Sequence, residues 1–163
     1  MRRPLSNTGC ARALVLVLMA AAVYGGCAAS RRDALKLEVV SAHNGEILFS
    51  AGVHEHDTFE LSYVHSVSAS AVRGVFRVRA DERIAPVETV YTAFGPGLPW
   101  ANHEYERRAD GLIHAPQADE PSRDELRIWV SIWTDDALTV HGETVSLVPS
   151  DRETRLVVVR IVR

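Results

Sequence analysis

The sequence predicts an all-β protein: an antiparallel β-sandwich or small barrel of about nine to ten short strands. Apolar residues alternate with polar ones through most of the chain, with the period of two that half-buried strands require. Turn-forming residues separate these runs at short intervals. No long segment keeps the period of an amphipathic helix. These observations together favour strands joined by hairpins over a helical fold.

The individual strands follow from the same alternation, taken in chain order. Apolar residues alternate over 35–40 and continue over 47–49, and Asn44-Gly45 between them is the strongest hairpin signal in the chain. The stretch 115–124 is rich in proline and acidic residues and is the predicted long surface loop. Later apolar runs predict further strands at 59–63, 76–79, 126–133 and 156–162.

Residues 1–26 are predicted to be a secretory signal rather than part of the fold. A basic start precedes the apolar run 13–23, which is too short to cross a bilayer as a helix, since that takes about 20 residues. Gly25-Gly26-Cys27 then resembles a bacterial lipoprotein processing site, where the cysteine is lipidated and becomes the first residue. Tyr24 stands where an aliphatic residue is usual, so simple cleavage near 28–30 stays as the alternative.

Cysteine content and net charge limit how the domain is stabilised and which partners it can have. Residues 27–34 are the predicted tether, and 35–163 form a single β domain that contains no cysteine and therefore no disulfide. With 18 Lys and Arg against 21 Asp and Glu, the formal net charge is −3, so no nucleic-acid partner is expected. We expect an exported protein, held to a membrane by a lipid at Cys27 and facing the periplasm or the cell exterior.

Tyr63-Val64-His65-Ser66-Val67 is the first candidate functional stretch. On a strand Tyr63 and His65 share a face and Ser66 points the other way, so His65 ends a core-facing row. Such a histidine is either hydrogen-bonded in the interior or displayed at the mouth of the fold, where it can contact a ligand. A hydrolase using His65 and Ser66 is a further hypothesis, although a regular strand separates the two side chains and no Gly-x-Ser-x-Gly turn occurs.

Phe94-Gly95-Pro96-Gly97-Leu98-Pro99 is the second candidate. Its glycines permit backbone angles closed to other residues and its prolines fix φ, so a stiff loop is predicted. The loop is either a tight strand connection or a place where a backbone amide meets an anionic ligand. Glu88 shares a strand face with Phe94, and a carboxylate facing inward there needs a partner, which is expected to be His65 or an arginine.

His54-Glu55-His56-Asp57 raises the alternative of a metal-binding protein. Two histidines at i and i+2 on a strand point the same way and can share a zinc or copper ion. A solvated hairpin turn is the other interpretation, because spacing places no third or fourth ligand. No cofactor is expected.

Trp129 and Trp133 form a candidate contact surface. If the aliphatic residues that alternate with them fill the core, the two indoles lie outside beside Arg127. Exposed aromatics with an arginine are typical of a docking surface. The alternative is that both faces of this strand are covered.

The two candidate stretches resemble the hallmarks of a bacterial family, domain of unknown function 1850. That family combines a Tyr-x-His-Ser-Val stretch with a later Phe-Gly-Ala-Gly-Leu-Pro stretch, matched here at 63–67 and 94–99, and Glu88 matches an acidic position before the second. Pro96 replaces the family's alanine. Ala71 and Arg73-Gly74 stand where the family typically has a proline and a glutamate.

The resemblance runs from about residue 35 to residue 162 and carries implications for function. Members resemble one another in being small exported proteins, often encoded beside TRAP transporters of the TAXI type, which implies an accessory role in solute uptake. No reaction is established for the family, so the leading hypothesis is a non-catalytic binding or accessory protein. Its ligand-binding residues are expected to converge at one end of the fold: Tyr63, His65, Ser66, Glu88, Gly95, Gly97, Leu98 and Pro99.

Overall fold

The computed structural model describes residues 34–95, 104–117, 119–151 and 153–163. Within these ranges the regular structure consists of eleven strands and no helix. No helix there meets the length and apolarity needed to cross a membrane. The strands are β1 (Leu35–Ser41), β2 (Ile47–Val53), β3 (Thr58–Val64), β4 (Ala71–Val78), β5 (Ile84–Tyr91), β6 (Glu106–Arg107), β7 (Ile113–Pro116), β8 (Glu125–Val130), β9 (Ala137–Val140), β10 (Glu143–Ser146) and β11 (Arg155–Val162).

The strands form two antiparallel sheets of unequal width. The four-stranded sheet has the order β2-β1-β11-β8, and the seven-stranded sheet has the order β10-β9-β3-β4-β5-β7-β6. Neither sheet closes into a barrel, so the predicted all-β fold is confirmed in its sandwich form. One extra element is the two-residue β6, which pairs with β7 and is too short to leave an alternating pattern in the sequence.

Local turn chemistry explains two of the hairpins. Gly45 has a φ of 73° in the β1–β2 connection, a left-handed conformation that favours glycine. His141 and Gly142 have φ values of 51° and 82° between β9 and β10, as the two central residues of a type I′ turn require. The predicted Asn44-Gly45 hairpin therefore forms. The His141-Gly142 turn joins strands that pair directly, with Val140 opposite Glu143.

The core lies between the two sheets and is built by alternate residues. Leu37, Val39 and Val159 point into it from the four-stranded sheet and are fully buried. Phe59 enters from β3 and stacks on Phe76 of β4, with ring centroids 5.4 Å apart. Burial of such apolar side chains is the main stabilising contribution in a domain without disulfides.

Three connections between strands lie together at one end of the sandwich. β1 begins at Leu35, opposite Val53, and runs toward the β1–β2 hairpin. At that hairpin's end lie the turn 65–70 after β3, the segment 92–95 after β5, and the turn 131–136 that links β8 to β9. The Val64 amide donates to the Thr134 carbonyl at 2.7 Å, which ties two of these turns together. We call this the distal end, because it is remote from Leu35.

Candidate functional site

His65 is held by hydrogen bonds within its own turn at the distal end. β3 stops at Val64, and the His65 amide donates to the Ser70 carbonyl at 2.8 Å, which closes the turn. The Ser68 amide lies 3.2 Å from His65 Nδ1, and Ser68 Oγ lies 3.1 Å from the same atom. Ser68 Oγ also contacts Ser70 Oγ at 2.6 Å. The side chains of this turn therefore form one connected polar cluster.

The hydrogen bonds of the turn determine the state of the His65 ring. A backbone amide can only donate, so the bond from the Ser68 amide requires a lone pair on Nδ1. The geometry therefore fits the neutral imidazole with its proton on Nε2. Ser66 lies in the turn and is exposed, so the hydroxyl beside the His65 ring belongs to Ser68.

Gly95, from the second candidate stretch, lies against the His65 turn. A methyl group added at Gly95 would lie 3.3 Å from His65 Cε1 and 3.3 Å from Ser68 Oγ, which is tighter than an ordinary contact. Glycine is thus the residue that lets the two segments approach this closely. The structure brings His65 and Gly95 together. Gly97, Leu98 and Pro99 lie outside the described residues, as does Cys27.

Tyr63 lies one step inside the fold from His65, in a second apolar cluster. It packs against Val72, Tyr91, Ile113 and Ala115, a group separate from the main core. Burial raises the pKa of the Tyr63 hydroxyl, and the nearby Asp136 carboxylate raises it further. Tyr63 therefore stays a neutral hydrogen-bonding group over the physiological range.

Glu88 does not lie beside His65, so the candidate ligand-binding residues converge only in part. It is paired with Val75 on β4, and alternation puts both on the opposite face of the sheet from Tyr63. Its carboxylate is 3.1 Å from His114 Nδ1 and 3.6 Å from Arg108 Nη2. Its partners on this outer face are therefore an arginine and His114, and His65 is not among them.

The histidines His54 and His56 lie in a turn between β2 and β3, not on a strand. Asp57 explains the turn: its carboxylate accepts the His54 amide at 2.8 Å, and His56 has a φ of 74°. The same Asp57 oxygen lies 2.9 Å from His141 Nε2 and 3.5 Å from His54 Nδ1. No group of three or more His, Cys, Asp or Glu side chains suited to a metal occurs among the described residues.

The distal end also carries exposed apolar side chains. Trp129 is 66% exposed at the end of β8, and Trp133 is 80% exposed in the turn that follows. Arg127 on the same strand pairs with Glu125 at 2.7 Å. The large apolar residues exposed in the described chain all lie at or near this end: Ile47, Leu48, Val67, Phe94, Tyr105, Trp129 and Trp133.

A cleft of about 640 Å³ opens between the sheets beside β8, and the sequence pattern did not predict it. Leu61, Phe76 and Ile128 supply apolar walls, and Gly74 leaves its floor open. A volume of this size is typical of small-molecule sites, about 300–1,000 Å³. Arg123 and Asp136 also line it.

Comparison with known proteins gives the family. A model of the family described as a domain of unknown function, DUF1850, matches residues 59–147, more than half of the chain. The chain belongs to the DUF1850 family. No curated protein and no solved structure matches it. The DUF1850 region begins in β3 and ends just after β10, so it includes both candidate stretches and every residue that lines the cleft.

The contact at Gly95 gives a testable prediction. Gly95→Ala places a methyl group against the His65 ring, so the ring or the 92–95 segment must shift, at a cost of about 1 kcal/mol in unfolding free energy. The His65 ring resonances should move in NMR spectra, and urea unfolding should show the loss.

The matched control for this prediction is Gly52→Ala. A methyl group at Gly52 on β2 meets no atom within 4 Å, so its effect should stay within about 0.5 kcal/mol. Equal effects of the two substitutions on stability and on the His65 resonances would contradict the contact.

Asp57 gives a pH-dependent prediction. The hydrogen bond from His141 holds the pKa of Asp57 below its ordinary value of 3.8, and the bond from the His54 amide adds to this. A carboxylate with a lowered folded-state pKa stabilises the fold above the unfolded value, and that stabilisation is lost as pH falls through the folded value. Asp57→Asn should therefore lower the melting temperature at neutral pH and have little effect in strong acid.

The control for Asp57→Asn is Asp81→Asn. Asp81 is exposed and its ion pair is with Arg79, at 3.4 Å. Its substitution should change the melting temperature little at either pH. A difference between wild type and Asp57→Asn that does not depend on pH would contradict the assignment.

Proposed function

We propose that this DUF1850 protein is an exported, lipid-anchored, non-catalytic binding module that serves solute uptake by a TRAP transporter of the TAXI type. Its distal end is the surface that docks onto an extracytoplasmic component of the transporter. The protein faces the periplasm or the cell exterior, where such components act.

The single observation that carries this proposal is the concentration of exposed apolar side chains at one end. Soluble monomers rarely expose a large contiguous apolar patch unless it binds something. Tryptophan is among the residues most enriched at interface hot spots. Trp129 and Trp133 are mostly exposed, and Phe94 packs edge-on against Tyr105 beside the His65 turn. The distal end therefore has the composition of a protein-binding surface.

The His65 turn supports binding rather than catalysis. A general base must offer a free ring nitrogen to the nucleophile it activates. Here Nδ1 already accepts the Ser68 amide, and the Ser68 hydroxyl is shared with Ser70. A ring held this way is suited to positioning the turn and the neighbouring Gly95 segment.

The proposed anchor fits the position of the docking surface. A lipid at Cys27 reaches the domain through β1, which begins at Leu35. β1 has seven residues and spans about 20 Å before the chain reaches the distal end. The docking surface is then displayed away from the point where the tether joins the domain.

Anchoring is tested on protein extracted from cell membranes. We expect mass spectrometry to show an N-terminal Cys27 that carries a lipid, and Cys27→Ser to release the protein from the membrane fraction. The control is Cys10→Ser, which alters only the leader and should leave the mature protein unchanged. An unmodified N-terminus within 28–30 would contradict the anchor.

Docking is tested with the purified domain and the solute-binding protein of a TAXI-type transporter from the same organism. Trp133→Ala should weaken binding at least tenfold in calorimetry, because hot-spot tryptophans carry much of an interface's energy. Arg79→Ala, an exposed position away from the distal turns, should not change it. The proposal fails if wild type does not bind, or if both variants bind like wild type.

A further inference from the structure

The unequal width of the two sheets leaves part of the domain's interior uncovered. β8 is the outermost strand of the four-stranded sheet and pairs only with β11 among the described strands. The seven-stranded sheet continues past it through β4, β5 and β7. The cleft of about 640 Å³ lies between the free edge of β8 and that uncovered face.

The cleft lining between its two ends combines apolar side chains with polar ones. Leu61 and Phe76 face it from the seven-stranded sheet, and Leu126 and Ile128 face it from β8. Gly74 contributes no side chain, and a methyl group there would lie 2.9 Å from the Phe76 ring. The apolar part of this lining can take up the apolar side chains of a ligand.

Arg123 provides a positive charge just before the start of β8. The backbone of Arg123 is fixed by two hydrogen bonds with Ile84, at 2.7 and 2.8 Å. Its acidic neighbours have other partners: Asp124 pairs with Arg83, and Glu125 pairs with Arg127, which lines the cleft as Glu125 does. Within the described ranges no carboxylate pairs with Arg123, which leaves its guanidinium available to a carboxylate ligand.

Asp136 provides a carboxylate beside the end of β8, where it accepts the Ser131 amide. Asp136 is buried in the turn 131–136 and lines the cleft. Its Oδ2 accepts the Ser131 amide and the Thr134 hydroxyl, both uncharged donors. No cation pairs with Asp136 in the described part of the chain, so a ligand's ammonium group would meet an uncompensated carboxylate.

We propose that this cleft binds a short apolar peptide with free termini, three to five residues long. The peptide runs antiparallel to β8 and adds a strand to its free edge, as in β-augmentation. Its C-terminal carboxylate pairs with Arg123, its N-terminal ammonium pairs with Asp136, and its side chains pack on Leu61, Phe76 and Ile128. Opposite charges at the two ends of β8 set this direction. The proposal does not depend on the anchor or on docking by the exposed tryptophans Trp129 and Trp133.

The test measures binding of trileucine to the purified domain by calorimetry, alongside trileucine amide and N-acetyl-trileucine. Loss of either terminal charge should weaken binding about tenfold or more, because a charge-assisted hydrogen bond is lost. In Arg123→Gln the acid and the amide should bind alike, while N-acetylation still weakens binding. Arg79→Gln is the matched control and should keep the wild-type preference for the free acid.

Asp136 and the cleft floor provide independent readouts. Asp136→Asn retains an acceptor for the Ser131 amide and should remove the preference for a free ammonium. Trileucine should shift the NMR amide signals of Leu61, Gly74 and Ile128. The proposal is overturned if trileucine shows no saturable binding, if the acid and the amide bind wild type equally, if decanoate competes as well as trileucine, or if residues outside the cleft shift while Leu61, Gly74 and Ile128 do not.

Discussion

The alternation of side chains along β3 is the constraint on which the other features depend. Phe59 points into the main core, Leu61 lines the cleft, Tyr63 packs on the second cluster, and His65 follows at the distal turn. A strand has a period of two, so a shift of one residue would send this whole row to the outer face. Core, cleft and distal site are thus successive positions of one row.

The unequal widths of the two sheets explain why the side chains of this row have different surroundings along β3. At Phe59 the four-stranded sheet covers β3 and the side chain is fully buried. At Leu61 and Tyr63, near the free edge of β8, the four-stranded sheet no longer covers β3 completely. Both residues therefore line the cleft. β3 ends at Val64, and the backbone polar groups beyond it form hydrogen bonds within the turn that holds His65. The cleft and the distal turn accordingly appear where coverage by the four-stranded sheet stops.

The sequence predicted what depends on local chemistry. Period-two patterning predicted β1, β2, β3, β8, β11 and the end of β4, although β8 ends at Val130 rather than at residue 133. The Asn44-Gly45 signal predicted its hairpin, and alternation put Trp129 opposite the inward-facing Ile128. Contacts between distant segments depend on register, so alternation alone did not identify the partner of Glu88. Glu88 meets His114 across 26 residues, and no local pattern distinguishes that partner from His65. His54 and His56 lie in a turn, the second of the two interpretations that the sequence left open, because Asp57 accepts the His54 amide there. The cleft depends on which strand ends the smaller sheet, which is a property of topology.

The most direct test of the account is an NMR measurement of the contact between the two candidate stretches. A methyl group at Gly95 would lie 3.3 Å from His65 Cε1, so the Gly95 Hα and His65 Hε1 protons should give a nuclear Overhauser effect. The signal between His65 Hε1 and the Ser68 protons serves as the internal reference, because the two residues share one turn. We expect both signals. A spectrum with the Ser68 signal but none from Gly95 would contradict the claim that β3 delivers His65 to the 92–95 segment.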